Sequence, residues 1–447
     1  MRQAIGRRAI GRYAIGGGGL ALAFASVASA QDGAPRRAAP DYAVRVARVL
    51  KATPLIDGHN DWPEALREQE GERRWTVDLR QGLGARAEPY NTDIARLRTG
   101  GVGGQFWSVW VDASLPGPEQ VKQTLEQIDL VRAFVARYPD TFAMARTAAD
   151  VRRIHKNGRI ASLIGVEGGG QIDGSLSVLR QYHELGAGYL TLTHVLTLPW
   201  ADSATDNPQH DGLTPFGETV VRELNRLGML VDLSHVSEAT MLDALRVTRA
   251  PVIFSHSGAR AVDDHPRNVS DAVLKLVAAN GGIVMVNFAE NYVSNAYRTW
   301  SNDRGAERTR LNAPPYGGLY VGQPDKAAAA LAEWVRAHPA PRVTLGEVAD
   351  HIEHIAKVAG VDHVGIGSDF DGVGNALPEG LSGVDTYPAL LAELMRRGWS
   401  DAEVAKLAGG NMLRVMVRAE AVADGLKDEA PNNAELPVAT PAAPRAG

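Results

Sequence analysis

Seven side chains able to hold a metal or move a proton each follow a short apolar run in this sequence. His59 and Asp61 close Leu55-Ile56-Asp57-Gly58-His59-Asn60-Asp61, Glu167 closes Ile164-Gly165-Val166-Glu167, and His194 closes Leu192-Thr193-His194. His235 follows Asp232-Leu233-Ser234, His256 follows Phe254-Ser255, and Asp369 follows Gly367-Ser368. Side chains of a strand alternate faces, which sends His59 and Asp61 the same way, one pleat apart. An imidazole and a carboxylate so placed can grip a divalent cation of the zinc type. Any one of these residues alone also reads as a hydrogen-bonded turn or a satisfied buried polar group. Together, carboxylates and imidazoles behind so many apolar runs need pairing or a metal to be tolerated.

The number of ligands suggests two cations. His59 and Asp61 suit one, His235 and His256 the other, with Glu167 giving one oxygen to each. Two cations about 3.5–4 Å apart share a water and lower its pKa enough to give hydroxide near neutral pH. Nitrogen and oxygen donors suit zinc, with manganese and cobalt as alternatives. The sequence has no cysteine, so thiolate ligands, disulfides and a cysteine nucleophile are excluded.

Those residues meet only if the runs belong to one closed sheet. Strand-like runs fall at 54–60, 104–111, 160–166, 189–193, 230–234, 252–255, 283–287 and 364–367. Helical spacing fills the gaps at 119–138, 175–185, 216–227, 237–247, 270–279, 344–359 and 387–397, with another helix at 41–51 before the first strand. Thr344 with Glu347 is a capping-box signature, and Gly186, Gly228 and Gly360 stand where C-terminal caps belong. The strands are short and nearly continuous in apolar residues, as parallel strands buried on both faces are. Eight such units in alternation point to a (β/α)8 barrel, whose strand ends converge on one mouth. An open doubly wound sheet is the alternative, disfavoured because no dinucleotide glycine fingerprint follows the first strand.

The 447 residues are 45% apolar and 22% charged, ordinary for a globular chain with a sizeable core. Arg2, Arg7, Arg8 and Arg12 precede an apolar run from Gly16 to Ser29 and a small-x-small site at Ala28-Ser29-Ala30. This reads as a removable export signal over 1–30, hence a periplasmic or secreted protein with no stable membrane anchor after cleavage. An uncleaved anchor is the alternative, against which the short, glycine-rich run argues. Losing four arginines takes the formal charge from −5 to −9. No basic stripe suggests nucleic acid as a partner. The barrel is expected over 31–429. Residues 294–343 read as an insertion after the seventh strand forming a lid, and the Pro/Ala-rich 430–447 as a disordered tail.

The motifs Ile56-Asp57-Gly58-His59-Asn60-Asp61, Gly165-Val166-Glu167-Gly168-Gly169, Leu190-Thr191-Leu192-Thr193-His194, Phe254-Ser255-His256-Ser257, Arg267-Asn268-Val269 and Gly367-Ser368-Asp369-Phe370-Asp371-Gly372 span about 54 to 415 with the segments between them. In these the chain resembles the membrane (renal) dipeptidase family of dizinc metallopeptidases. The resemblance implies two Zn2+ per chain on the ligands already paired, with a metal-bridging hydroxide attacking a dipeptide's peptide bond. It implies that His194 steadies the oxyanion and Asp369 relays the proton. It further implies that Arg267 and Tyr292 take the free C-terminal carboxylate, and that the protein is a homodimer. An amidohydrolase acting on N-acyl amino acids or lactones is the rival reading. Gly170 stands where relatives often carry histidine, and the 294–343 insertion is longer than in the mammalian enzymes. Asp371 is expected to orient its turn and His265 to be structural. His351 and His354 are expected on the outer face of their helix, and His210 in a loop.

Overall fold

The computed structural model describes residues 41–86, 89–313, 317–374 and 376–436. Residues 1–30, read as an export signal, the rest of 1–40 and residues 437–447 lie outside them. Nine strands follow in chain order: β1 (Leu55–Asn60), β2 (Val102–Trp110), β3 (Phe142–Met144), β4 (Ile160–Glu167), β5 (Ala187–Thr191), β6 (Leu230–Asp232), β7 (Ile253–Phe254), β8 (Ile283–Val286) and β9 (Val364–Ile366). They neighbour one another in the order β2-β1-β9-β8-β7-β6-β5-β4, and β4 pairs back onto β2 from Gly104↔Ala161 to Trp110↔Glu167. Every pairing in that ring is parallel. The fold is therefore a closed (β/α)8 barrel, and its eight strands are the eight runs the apolar pattern marks. The short β3 stands outside the ring, paired only with Ile160–Ser162 at the start of β4.

An apolar cluster from every strand of the ring except β9 fills the barrel: Ile56, Phe106, Leu163, Tyr189, Leu230, Ile253, Ile283 and Met285. Met412 and Met416 of the helix Asn411–Leu426 join the same cluster. Unbranched methionines fill such an irregular gap readily. Tyr189 crosses the interior because position 165 is glycine. A Cβ there would fall 1.9 Å from Tyr189 Cζ, so any larger residue would block the phenol. The helices outside start where the sequence marks them. Ser175, Ser237 and Ser270 accept hydrogen bonds from the first-turn N–H groups, and Thr344 with Glu347 forms the capping box. Gly186 and Gly228 end their helices at φ 109° and 77°, a region that costs a side chain strain.

Three expectations change. The pleat does not bring His59 and Asp61 together. The register of β1 shifts between Asp57 and Asn60, and Asp61 is the non-extended residue that starts the helix Trp62–Glu70. That irregularity re-aims the strand end, as bulges do: Asp57 meets Gln105 and Tyr387, while His59 enters the mouth. The 294–343 insertion, expected to form a lid, packs beside the mouth. Its helices Asn295–Leu311 and Pro324–Ala337 pack on each other through Trp300 and Trp334, and Arg298 ties them to the rim at Asp263 and Asp264. None of its described residues lines the cleft at the mouth. Finally, the chain beyond 430 is held as far as 436. Arg180 donates to the Asn432 carbonyl, Glu435 bridges to Ser175, and Leu436 packs on the core. No helix of the described residues is long and apolar enough to cross a membrane.

Candidate metal centre

The strand ends deliver their polar groups to one point at the C-terminal mouth. Glu167, the last residue of β4, is 4% exposed and stands at the middle. Its Oε2 is 3.2 Å from His59 Nε2, and its Oε1 is 3.1 Å from His235 Nε2 and 3.3 Å from His256 Nε2. Asp61 Oδ2 lies 3.3 Å from His59 Nε2. The five proposed ligands, scattered through the sequence, thus converge. His194 Nε2 is 3.8 Å from Glu167 Oε1, and Asp369 forms a triad with His59 and Asp61 whose ligand atoms all lie within 4.8 Å of one another.

Each ring is aimed by what its other nitrogen meets. His59 Nδ1 is 3.0 Å from the Tyr189 hydroxyl, which also donates to the Gly58 carbonyl. The hydroxyl therefore accepts from Nδ1–H, and Nε2 is the nitrogen turned to Asp61 and Glu167. Ser255 Oγ donates to Asp232 at 2.6 Å and lies 2.8 Å from His256 Nδ1, which fixes the same tautomer in His256. Such outer partners orient metal-binding imidazoles. His194 is the reverse case. Trp110 Nε1 donates to its Nδ1 at 2.9 Å, leaving the proton on Nε2 as a donor toward the cleft.

The donor set fits cations. His59 Nε2 and Asp61 Oδ1 are buried with no hydrogen-bond partner among the described residues. The Nε2 atoms of His235 and His256 are 2.9 Å apart, which demands a proton or a cation between their lone pairs. Leaving buried acceptors unmet costs about 1–3 kcal/mol each. Burial, joined by Arg267 and His194, holds His235 well below its usual pKa, and burial with His59 takes His256 down to about 4. Both are then neutral, as ligation requires. Burial also opposes charge on His59 and Glu167, but here the ion pair prevails. Glu167 and Asp61 hold the His59 imidazole well up, while His59 holds the Glu167 carboxyl well down.

Asp369 is raised by burial and by Asp61, against the pull of His256, and Asn287 Nδ2 donates to its Oδ2 at 2.8 Å. Its backbone is left-handed at φ 66°, as is that of His235 at 69°. Non-glycine residues held there cost of order 1–3 kcal/mol and cluster at functional sites. A cleft of about 370 Å³ opens over the centre, with Trp110, His194, Tyr292, Glu64 and Glu68 in its wall. Arg267 is only 1% exposed and stands behind Tyr292, 5.2 Å from its ring centre; its Nε has no partner among the described residues.

Asp371 does orient its turn, accepting from Asn91 N–H at 2.7 Å, and His265 is structural, accepting from Arg267 N–H. His210 caps a loop at the Leu198 carbonyl. His351 departs from expectation. It is fully buried on the inner side of its helix, bonded to Ala259 N–H and the Val293 carbonyl. At Gly170 an added Cβ would meet Gln120 Oε1 at 2.6 Å, so Gln120 occupies the space a side chain there would need. Sequence reasoning missed Trp110 and Asn287 as functional side chains, though both stand at strand ends as the ligands do.

A family model described as membrane dipeptidase (peptidase family M19) matches residues 43–430. Among solved structures, the probable dipeptidase PvdM from Pseudomonas aeruginosa is 25% identical, with a TM-score of 0.71 over 86% of this chain and 99% of that one. The metallopeptidase dipeptidase AC is 26% identical, at 0.65 over 82% and 99%. A metallopeptidase from Rhodobacter sphaeroides, liganded with a phosphinate mimic of the dipeptide L-Ala-D-Ala, is 25% identical, at 0.63 over 82% and 99%.

Proposed function

We propose a reaction for this chain from one premise: it belongs to the membrane dipeptidase family, peptidase family M19. It is a metal-dependent dipeptidase of that family. We read it further as an exported enzyme that uses two zinc ions to hydrolyse dipeptides with a free C-terminal carboxylate. The observation that carries this is the convergence on Glu167. One oxygen faces His59, which Asp61 flanks; the other faces His235 and His256. Those two sets would each hold one ion, with Glu167 between. Bound there, zinc would supply Lewis acidity, acidifying water and polarising the scissile carbonyl.

The protein's own groups do the rest. Asp369, kept basic by burial and steadied by Asn287, takes a proton from the attacking water. As the C–N bond breaks, it returns that proton to the leaving nitrogen, so that one water and one dipeptide become two amino acids. His194 donates a hydrogen bond from Nε2–H to the carbonyl oxygen as negative charge develops. Burial lowers its pKa, so it stays a neutral donor at pH 7. Arg267 with Tyr292 receives the carboxylate, the role a guanidinium fork suits. The dipeptide mimic held by the Rhodobacter relative supports a dipeptide as the substrate.

Metal content joined to turnover tests this. Purified protein should carry two zinc ions per chain and cleave dipeptides, lose both properties on chelation and regain them with zinc. Faster cleavage of N-acyl amino acids or lactones would favour the rival amidohydrolase reading. Recovery of an N-terminally shortened chain in the periplasm or medium tests export.

A further inference from the structure

We propose that the helix Trp62–Glu70 selects dipeptides whose N-terminal residue is lysine or arginine, and that Glu68 makes the selection. The inference rests on the dipeptidase reading above. Asp61 starts this helix, and Asp61, Glu64 and Glu68 are three and four residues apart, which sets them on one stripe. All three line the cleft, together with Ala65 and Gln69. The stripe climbs from floor to rim: Asp61 is 6% exposed, Glu64 9%, and Glu68 lies open to solvent.

The two outer carboxylates are not equivalent. Glu64 is held by Gln127, whose Nε2 donates to its Oε2 at 2.8 Å, and Arg67 lies 3.8 Å from the same oxygen. Among the described residues no cation comes within 4.0 Å of Glu68, and no lysine or arginine lines the cleft. This wall is therefore negative and uncompensated at its outer end. With the substrate carboxylate assigned to Arg267 and Tyr292, after β7 and β8, the stripe after β1 is left to the N-terminal half. The α-ammonium lies beside the scissile carbonyl, in reach of the floor. Glu68 stands about 6 Å further along the helix axis than Glu64. A charge met there sits well out from the peptide backbone, as the end of a lysine or arginine side chain does.

The test compares kcat/KM for Lys-Ala, Met-Ala and Glu-Ala on the zinc-loaded enzyme and on Glu68→Gln and Glu68→Lys. Lys-Ala should exceed Met-Ala by about fivefold, the upper range for a partly exposed ion pair. The margin should shrink as salt rises from low to molar. Glu68→Gln should bring the two substrates level, chiefly through KM of Lys-Ala, and Glu68→Lys should favour Glu-Ala. Glu68 is exposed and unpaired, so these variants keep the fold. Equal wild-type values for Lys-Ala and Met-Ala, or a preference that survives Glu68→Gln, overturn this inference alone. No cleavage of any of the three overturns the dipeptidase reading and this inference with it.

Discussion

Two sets of buried carboxylates lie side by side in this barrel and differ in how their oxygens are satisfied. Asp57 and Asp232 are fully buried, yet every oxygen has donors. Asp57 accepts from Tyr387, Ser368 and Gln105, and Asp232 from Thr191, Ser234 and Ser255. Asp61, Glu167 and Asp369 are nearly as buried, but face imidazoles, one another and the cleft, with Asp61 Oδ1 unmet. Burial of a charged residue thus does not mark function by itself. An unfilled hydrogen-bonding capacity beside other ligands does. Asp57 lies two residues before His59, and Asp232 three before His235, so the structural set holds the reactive set in place.

Substitutions should separate the two sets. The largest effect is expected from Glu167→Gln, which removes the carboxylate that turns one oxygen to each group of histidines. On the two-zinc reading, metal content should fall from two per chain toward none and dipeptide turnover below detection, measured by metal analysis beside a peptidase assay. Asp369→Asn should keep both metals and lower kcat by about 10²–10⁴-fold, the range of a lost proton relay; unchanged turnover would remove Asp369 from the reaction. Ser255→Ala breaks the link from Asp232 to His256 and should weaken zinc binding about 10–100-fold in a competition titration with a chelator. Asp57→Ala should act chiefly on stability. Its stranded donors should each cost about 1–3 kcal/mol in denaturant unfolding, with the metal still bound at saturation.

A fifth prediction concerns acid. Burial pulls the His351 imidazole down to about 4, from an ordinary value of 6.5. As pH falls below 6.5, the unfolded chain takes a proton at this position that the folded chain refuses. Stability is therefore lost between pH 6.5 and 4, by up to about 3 kcal/mol at the lower end. His351→Gln should flatten that part of the curve of unfolding free energy against pH, with little effect on neutral-pH catalysis.

The barrel was legible because its strands are buried on both faces, so each appears as an uninterrupted apolar run. β3 was not, being three residues long and half-buried at two of them. Nor was the helix Ala148–Lys156, whose capping pair Thr147 and Asp150 falls in a stretch of mixed pattern. The proposed ligands could be read because each stands at or just after the end of a strand, where eight chain directions meet. Their supports could not. Tyr189, Asp232 and Ser255 lie within or beside apolar runs and look like core, since sequence does not say which buried hydroxyl faces which ring. His351 was placed on the wrong side for a related reason. A polar residue at helical spacing suggests solvent, whereas here it closes backbone bonds between two rim loops.

The pairing of β1 with β9 fastens residues 311 positions apart, through Asp57 and Ser368. During synthesis the first strand therefore waits, edge open, until almost the whole polypeptide has emerged. His59 and Asp61 cannot meet Asp369 before then. Arrival of the proton relay is in this sense a checkpoint on completeness: a chain cut short before β9 has no Asp369 to finish the site.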